Sequence, residues 1–418
     1  MIKLKSNFYR SLIQLLSSSA IAQLFTIGVS FLLTRIYNVE EIAFYSIILT
    51  FVSLFGPVIC AKLDSAIVIA NSDDEAINLS WGSLYISSII SVTAFIIYLI
   101  YIKLIEEYSS LVNYSVLLLV LLMLNAVVNI LISINNRNND YRLISKLQVR
   151  RSLVQNIGII IFGLLKFGVN GLIFSQQLSL LIGIKLQLKN IDAKYYLKVP
   201  KAKEIIISVK KYKEQLIFTL PAHFLNSASY SLLNLFIMSL FGAITFGYYS
   251  MTFRILSLPL SLISMNVSKI FLRRASELSS QGDSTYPFFK KVSSFLILVA
   301  IPMVLVLLFF APDLFSILLG NEWEIAGFYA QILAPMYGIR LVVSALTPIL
   351  LITKNQKIEL YIQCLFLLIA LIAYGIVSVF ALNVTSYLYI ISVSYSIIYI
   401  IFYVILFINS KKVGEEIK

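Results

Sequence analysis

The sequence predicts an all-α integral membrane protein with about twelve transmembrane helices, on three observations. Hydrophobic residues make up 59% of the 418, and charged residues only 13%, about half the charged share of a soluble chain. Apolar runs approaching or exceeding the ~20 residues that cross a bilayer as helix recur from end to end. Lys and Arg gather in alternate connections between those runs, as topology in a membrane requires.

In order, the runs lie at 11–33, 42–61, 76–102, 111–134, 152–168, 169–186, 214–240, 245–267, 289–310, 325–351, 358–380 and 385–408. Lys3, Lys5 and Arg10 precede the first run. It is too long for the apolar core of a signal peptide and reads as an uncleaved first span. Gly56-Pro57 interrupts the second, which can run on toward Ala70. Lys62 and Asp64 then sit either in its cytoplasmic end or in the following loop. The fifth and sixth runs share only the turn Lys166-Phe167-Gly168. With the N-terminus placed in the cytoplasm, nearly all of the 33 Lys and Arg fall in cytoplasmic segments. Arg35, Lys103 and Lys166 face the other side, and Arg254 and Arg340 lie inside spans. Trp81 and Trp323 fall at span ends, where interfacial aromatics sit.

The composition excludes several chemistries. The net charge of +13 follows topology rather than nucleic-acid binding. The two cysteines, Cys60 and Cys364, lie in apolar runs and imply no disulfide framework or thiolate metal site. His223 is the single histidine, which excludes a multi-histidine metal centre. No phosphate-binding loop or dinucleotide fingerprint occurs. The connections are too short for a nucleotide-binding or catalytic domain, so neither an enzyme nor a cofactor is expected.

A basic segment, 185–213, with nine lysines, divides the chain into a bundle over 1–184 and a bundle over 214–418 with a short cytoplasmic tail. The segment reads as a cytoplasmic linker lying on anionic lipid. An offset of 204 relates the halves. Gly247, Ser250, Arg254, Ser257, Ser261, Ser264 and Ser268 share one helix face by their 3-4 spacing. The same offset yields Ala43, Ser46, Thr50, Ser53, Pro57, Cys60 and Asp64 in the second span. Likewise His223, Ser227, Tyr230 and Asn234 correspond to Ser19, Gln23, Thr26 and Ser30. Such stripes serve either close helix packing or a watered cavity. An arginine on the stripe favours the cavity, because a guanidinium at mid-membrane costs ~2.5–3.5 kcal/mol on insertion scales. Arg254 and Arg340 are thus candidate grips for an anionic substrate, each offering a planar fork to phosphate oxygens. Around them the candidate cavity set comprises Ser250, Ser257, Tyr337, Ser344, His223, Asn226 and Tyr230. Pro259 and Pro335 place a kink near each arginine. Lys62 and Asp64 are the candidates for ion coupling.

Short motifs then resemble a known family. Thr34-Arg35-Ile36-Tyr37 with Glu41 to Tyr45 is similar to the loop after its first helix, and Phe241-Gly242 through Gly247-Tyr248-Tyr249 looks like the second-half counterpart. Ala311-Pro312-Asp313-Leu314, with Leu319-Gly320-Asn321-Glu322-Trp323, resembles its connection between helices nine and ten. The family is the O-antigen and capsule repeat-unit flippases of the multidrug/oligosaccharidyl-lipid/polysaccharide (MOP) exporter superfamily. The resemblance implies a V-shaped pair of six-helix lobes, arranged as a parallel repeat around a basic cavity. It implies an undecaprenyl-pyrophosphate-linked oligosaccharide as substrate, carried across the bacterial inner membrane by alternating access, and the Lys and Arg bias puts both termini in the cytoplasm. A polymerase and a chain-length regulator of the same pathway are the implied partners, beside membrane lipids. The alternatives are a multidrug/cation antiporter of the same superfamily and a membrane-embedded polysaccharide polymerase. The antiporter is disfavoured because the first span holds no carboxylate.

Overall fold

The computed structural model describes residues 21–23, 25–188, 199–213 and 215–412, and among them every regular element is helical. Two compact units divide the chain, Met1–Ser231 and Leu232–Lys418.

In the first unit, α1 covers Ile21–Ile36, and the first ten residues of the expected span lie outside the described residues. α2, Val39–Phe55, opens on a capping box in which the Asn38 side chain accepts from the Glu41 N–H and Glu41 answers to the Asn38 N–H. This satisfies two of the donors a helix start leaves unpaired. α2 ends at the expected Gly56-Pro57 interruption, which forms a 3-10 turn over Gly56–Val58. Ala61 and Lys62 follow in the left-handed region, and a short helix α3, Leu63–Ile69, starts anew. Then come α4, Asp73–Leu104, α5, Ser115–Arg137, α6, Tyr141–Leu164, and α7, Gly168–Leu188. The linker contributes α8, Ala202–Lys211. It docks on α4 through Lys211 paired with Glu75 and through Asn78 Nδ2 donating to Ser208 Oγ at 3.2 Å. The bond to Glu75 holds the Lys211 ammonium above its ordinary pKa.

The seventh and eighth expected spans are one helical run. α9 covers Leu220–Pro259 and bends at Gly242, whose φ of 82° and ψ of 176° belong to glycine alone. Pro259 cannot donate to the preceding turn, and the chain answers with a π-turn over Leu260–Ser264 before resuming as α10, Met265–Ser280. The second unit is completed by α11, Tyr286–Leu319, α12, Glu324–Leu346, the single turn α13, Ile349–Ile352, α14, Lys357–Phe380, and α15, Val384–Lys412.

Nine runs among the described residues are long and apolar enough to cross a bilayer. One of them, Gln215–Ser280, has 66 residues, enough for two crossings. α6 is long enough but less apolar, because Arg142, Lys146, Arg150 and Arg151 lie on its first half. Counting α1, α6 and the doubled run, the twelve crossings expected from sequence are accounted for. The helix that carries the fifth span starts at Tyr141, ahead of the apolar stretch expected from 152: Asp140 caps it by accepting from the Leu143 N–H at 3.1 Å. Trp323 also departs from expectation. It is fully buried, edge-on to Tyr248 at 5.6 Å, and fills space inside the second unit instead of meeting headgroups.

Candidate functional site

α12 is the best-buried helix of the second unit, and buried hydroxyls tie its neighbours to its carbonyls. Thr252 Oγ1 of α9 donates to Ala326 O at 2.7 Å, Ser264 Oγ to Leu341 O at 2.7 Å, and Ser392 Oγ of α15 to Ile332 O at 2.7 Å. Such cross-helix bonds are worth about 0.6 kcal/mol each on average in membranes. Ser264 belongs to the polar stripe read from sequence, so that end of the stripe packs helices together.

Arg254 stands on the second half of α9, half-buried, with Ser250 one turn before it and Ser257 one turn after. Ser250 Oγ donates to Gly247 O at 2.9 Å, so its hydroxyl is satisfied within its own helix. Arg340 stands half-buried on α12. Its guanidinium lies 5.6 Å from the centre of the Tyr337 ring, and Ser344 Oγ donates to Arg340 O at 2.7 Å. A cation over a desolvated ring gains roughly 0.5–2 kcal/mol. Tyr249, itself buried, is within electrostatic reach of Arg340, Tyr337, Tyr387 and Tyr395. The structure thus brings Arg340 together with Tyr337 and Ser344 inside a group of buried tyrosines. An apolar cavity of about 420 Å³, lined by Ile301, Val304, Pro335, Gly338, Val342 and Tyr403 among others, occupies another part of this unit. It is too apolar to hold a charged group.

The remaining sequence candidates lie in the first unit. Lys62 occupies the left-handed break before α3, and Asp64 lies in the first turn of α3. Both act electrostatically on His223 of α9, so these three come together. The Asp64 Oδ1 atom is buried and takes no hydrogen bond among the described residues. One and two turns beyond His223, Asn226 and Tyr230 are half-buried, and the Asn226 carbonyl accepts from Ser229 Oγ at 2.8 Å. Among the described residues no three His, Cys, Asp or Glu side chains gather as a metal site.

Two arginines escaped the reading of the sequence. Arg137 closes α5 and donates to the carbonyls of Ile67 and Ala70 at the end of α3, while pairing with Asp73 at 3.1 Å. Arg151 lies on a polar face of α6 whose members Ser152 and Asn156 reach α1: Ser152 Oγ donates to Ala22 O at 3.1 Å and Asn156 Nδ2 to Thr26 Oγ1 at 3.2 Å. The 3-4 spacing of Gln148, Arg151, Ser152, Gln155 and Asn156 was the available signal. It was hidden because a span counted from 152 cuts the stripe in two.

Comparisons with known proteins place this arrangement. The chain is similar in fold to a solved structure titled as an inward-facing multidrug resistance MATE family transporter of the MOP superfamily, with a TM-score of 0.73, 14% identity, and coverage of 96% of this chain and 95% of that one. It is likewise similar to the lipid II flippase MurJ in an inward closed conformation, with a TM-score of 0.67, 15% identity, and coverage of 99% and 90%. A MOP superfamily transporter from Pyrococcus furiosus, titled as having a binding pocket of reversed polarity, matches with a TM-score of 0.63, 14% identity, and coverage of 96% and 95%. No curated protein matches in a sequence search. The polysaccharide biosynthesis protein family matches over residues 32–326, well over half of the chain. A multi-pass membrane protein with the fold of MOP transporters, this chain belongs to the polysaccharide biosynthesis protein family.

Proposed function

We propose that the protein is a flippase that carries undecaprenyl-pyrophosphate-linked oligosaccharide repeat units across the bacterial inner membrane for surface polysaccharide assembly. The observation that carries this reading is the family match over residues 32–326, and the fold shared with a lipid II flippase supports it. Arg254 and Arg340 lie on helices whose apolar stretches hold no carboxylate. In this reading they attract the pyrophosphate or acidic sugar through their planar forks. Ser250, Ser257, Tyr337 and Ser344 in the second unit, and His223, Asn226 and Tyr230 in the first, supply neutral polar contacts for the sugars. Lys62 and Asp64 are the candidates for ion coupling. Both termini and the 185–213 linker face the cytoplasm, and no covalent chemistry is assigned to the chain.

Surface polysaccharide in a strain dependent on this protein provides the test. Arg254→Ala and Arg340→Ala each reduce export about tenfold or more, the scale of one lost charged hydrogen bond, at unchanged membrane abundance. Arg254→Lys keeps the charge without the fork and retains partial export. Normal polysaccharide in both alanine variants refutes the cationic grip. Loss of the protein from the membrane instead assigns the arginines to structure.

A further inference from the structure

Arg151 differs from the other arginines inside the bundle. Its Nε atom is buried and takes no hydrogen bond, and it forms no ion pair among the described residues. Gly183 of α7 leaves the space it fills: a Cβ at position 183 would lie 3.0 Å from Arg151 Cδ and 3.3 Å from Leu147 Cδ1. One turn further along the same face of α7, Gln187 is 0% exposed, and neither its Oε1 nor its Nε2 finds a partner among the described residues.

Among the described residues, the elements around Arg151 offer no counter-ion. α1, α5, α6 and α7 contain no Asp or Glu. Asp140, before α6, is engaged with the Leu143 N–H. Glu41 of α2 touches the Gly168 end of α7, about 22 Å along the helix axis from Gly183. The other charges on these elements are cations: Arg35, Arg137, Arg142, Lys146, Arg150 and Lys185. An unpaired, partly desolvated guanidinium is costly, and an exchangeable anion would remove that cost whenever it binds.

We propose that Arg151, in its niche against Gly183, is an anion site of the first unit that takes a phosphate group borne by a lipid, with Gln187 as a neutral donor beside it. The choice of the carried lipid's pyrophosphate as occupant rests on the proposed function; the site itself rests on the geometry. An anionic phospholipid headgroup has the same chemistry and is the rival source.

Full-length protein in nanodiscs of neutral phosphatidylcholine separates these cases. Undecaprenyl pyrophosphate is titrated and the unfolding midpoint followed, since a ligand that binds the folded state raises it. Arg151→Ala weakens the apparent affinity at least about tenfold, and Arg151→Lys restores part of it. Gly183→Ala, which crowds the Arg151 side chain at Cδ and Cγ, weakens it without removing the charge. The unliganded midpoint of Arg151→Ala stays level or rises, because an unpaired cation has been removed; a purely structural arginine would lower it. If Arg151→Ala fails to fold, Arg151→Lys and Gly183→Ala are titrated in its place. Wild-type affinity in the folded variants overturns the site. An Arg151-dependent shift with phosphatidylglycerol but none with undecaprenyl pyrophosphate overturns the assignment to the carried lipid. Normal export by Arg254→Ala, alongside lost binding by Arg151→Ala, refutes the cationic grip at Arg254 and leaves the anion site standing.

Discussion

Arginine serves three purposes in this bundle, and only its neighbours distinguish them. Arg340 rests on an aromatic ring, Arg151 stands unpaired in a niche, and Arg137 caps the carbonyls of Ile67 and Ala70. The Arg137 side chain is 16% exposed, whereas its partner Asp73 is 68% exposed. The carbonyl bonds therefore matter more than the surface ion pair. Arg137→Ala is expected to lower stability by roughly 1–3 kcal/mol, because it leaves partly buried acceptors unpaired. Asp73→Ala is expected to cost under about 1 kcal/mol. Equilibrium unfolding of both variants in detergent checks the order; an equal or larger loss in Asp73→Ala contradicts it.

At the scale of elements, α11 and α12 meet through glycines. A Cβ at Gly327 would lie 2.5 Å from the Ala311 carbonyl oxygen and 2.6 Å from Pro312 Cα, whereas at Gly338 it would meet the side chain of Val304. Backbone cannot yield as a valine rotamer can. Gly327→Ala is expected to be the more damaging, at the upper end of the ~1–3 kcal/mol range for overpacking, and Gly338→Ala the milder. Val304→Ala is expected to rescue Gly338→Ala, and no single side-chain truncation to rescue Gly327→Ala. Thermal midpoints of Gly327→Ala, Gly338→Ala and each combined with Val304→Ala decide this. The same scale explains the two breaks. Gly56-Pro57 was legible as an interruption of the second span, but the restart as α3 was not, because it depends on Ala61 and Lys62 adopting positive φ within a packed unit. Pro259 was legible as a kink, yet its outcome, a π-turn carrying Ser264 onto α12, required the position of the Leu341 carbonyl.

For the whole molecule, the charge asymmetry makes a topology prediction. Single cysteines placed in 199–213 and near Lys411, in a background lacking Cys60 and Cys364, are expected to resist impermeant thiol reagents in intact cells and to react after permeabilisation. Labelling of the linker from outside would invert the orientation. The docking of α8 on α4 adds a further test. A Cβ at Gly82 would lie 2.7 Å from Val209 Cγ2, so Gly82→Leu is expected to displace α8. Increased proteolysis within 199–213 reports that displacement, and unchanged protection argues that the contact is dispensable.

Crossing number and helical class were legible in the sequence because lipid imposes a one-dimensional rule, whereas the family was legible through the short motifs at Thr34–Tyr37, Phe241–Tyr249 and Ala311–Trp323 that resemble it. Each crossing must be an apolar helix of near-fixed length, and each flanking cation reports a side of the membrane. The small-residue face through Arg254 was legible for the same reason, since helical period alone places its members together. Tertiary structure decided what no period encodes: that Arg340 lies over Tyr337, that Ser264 is committed to packing, that Trp323 is enclosed, and that Lys62, Asp64 and His223 come together. It also decided that the polar start of α6 is helix, so that Arg151 enters the bundle beside Gly183. Those outcomes depend on which helix faces which, and partners far apart in sequence settle that through close packing rather than through hydropathy.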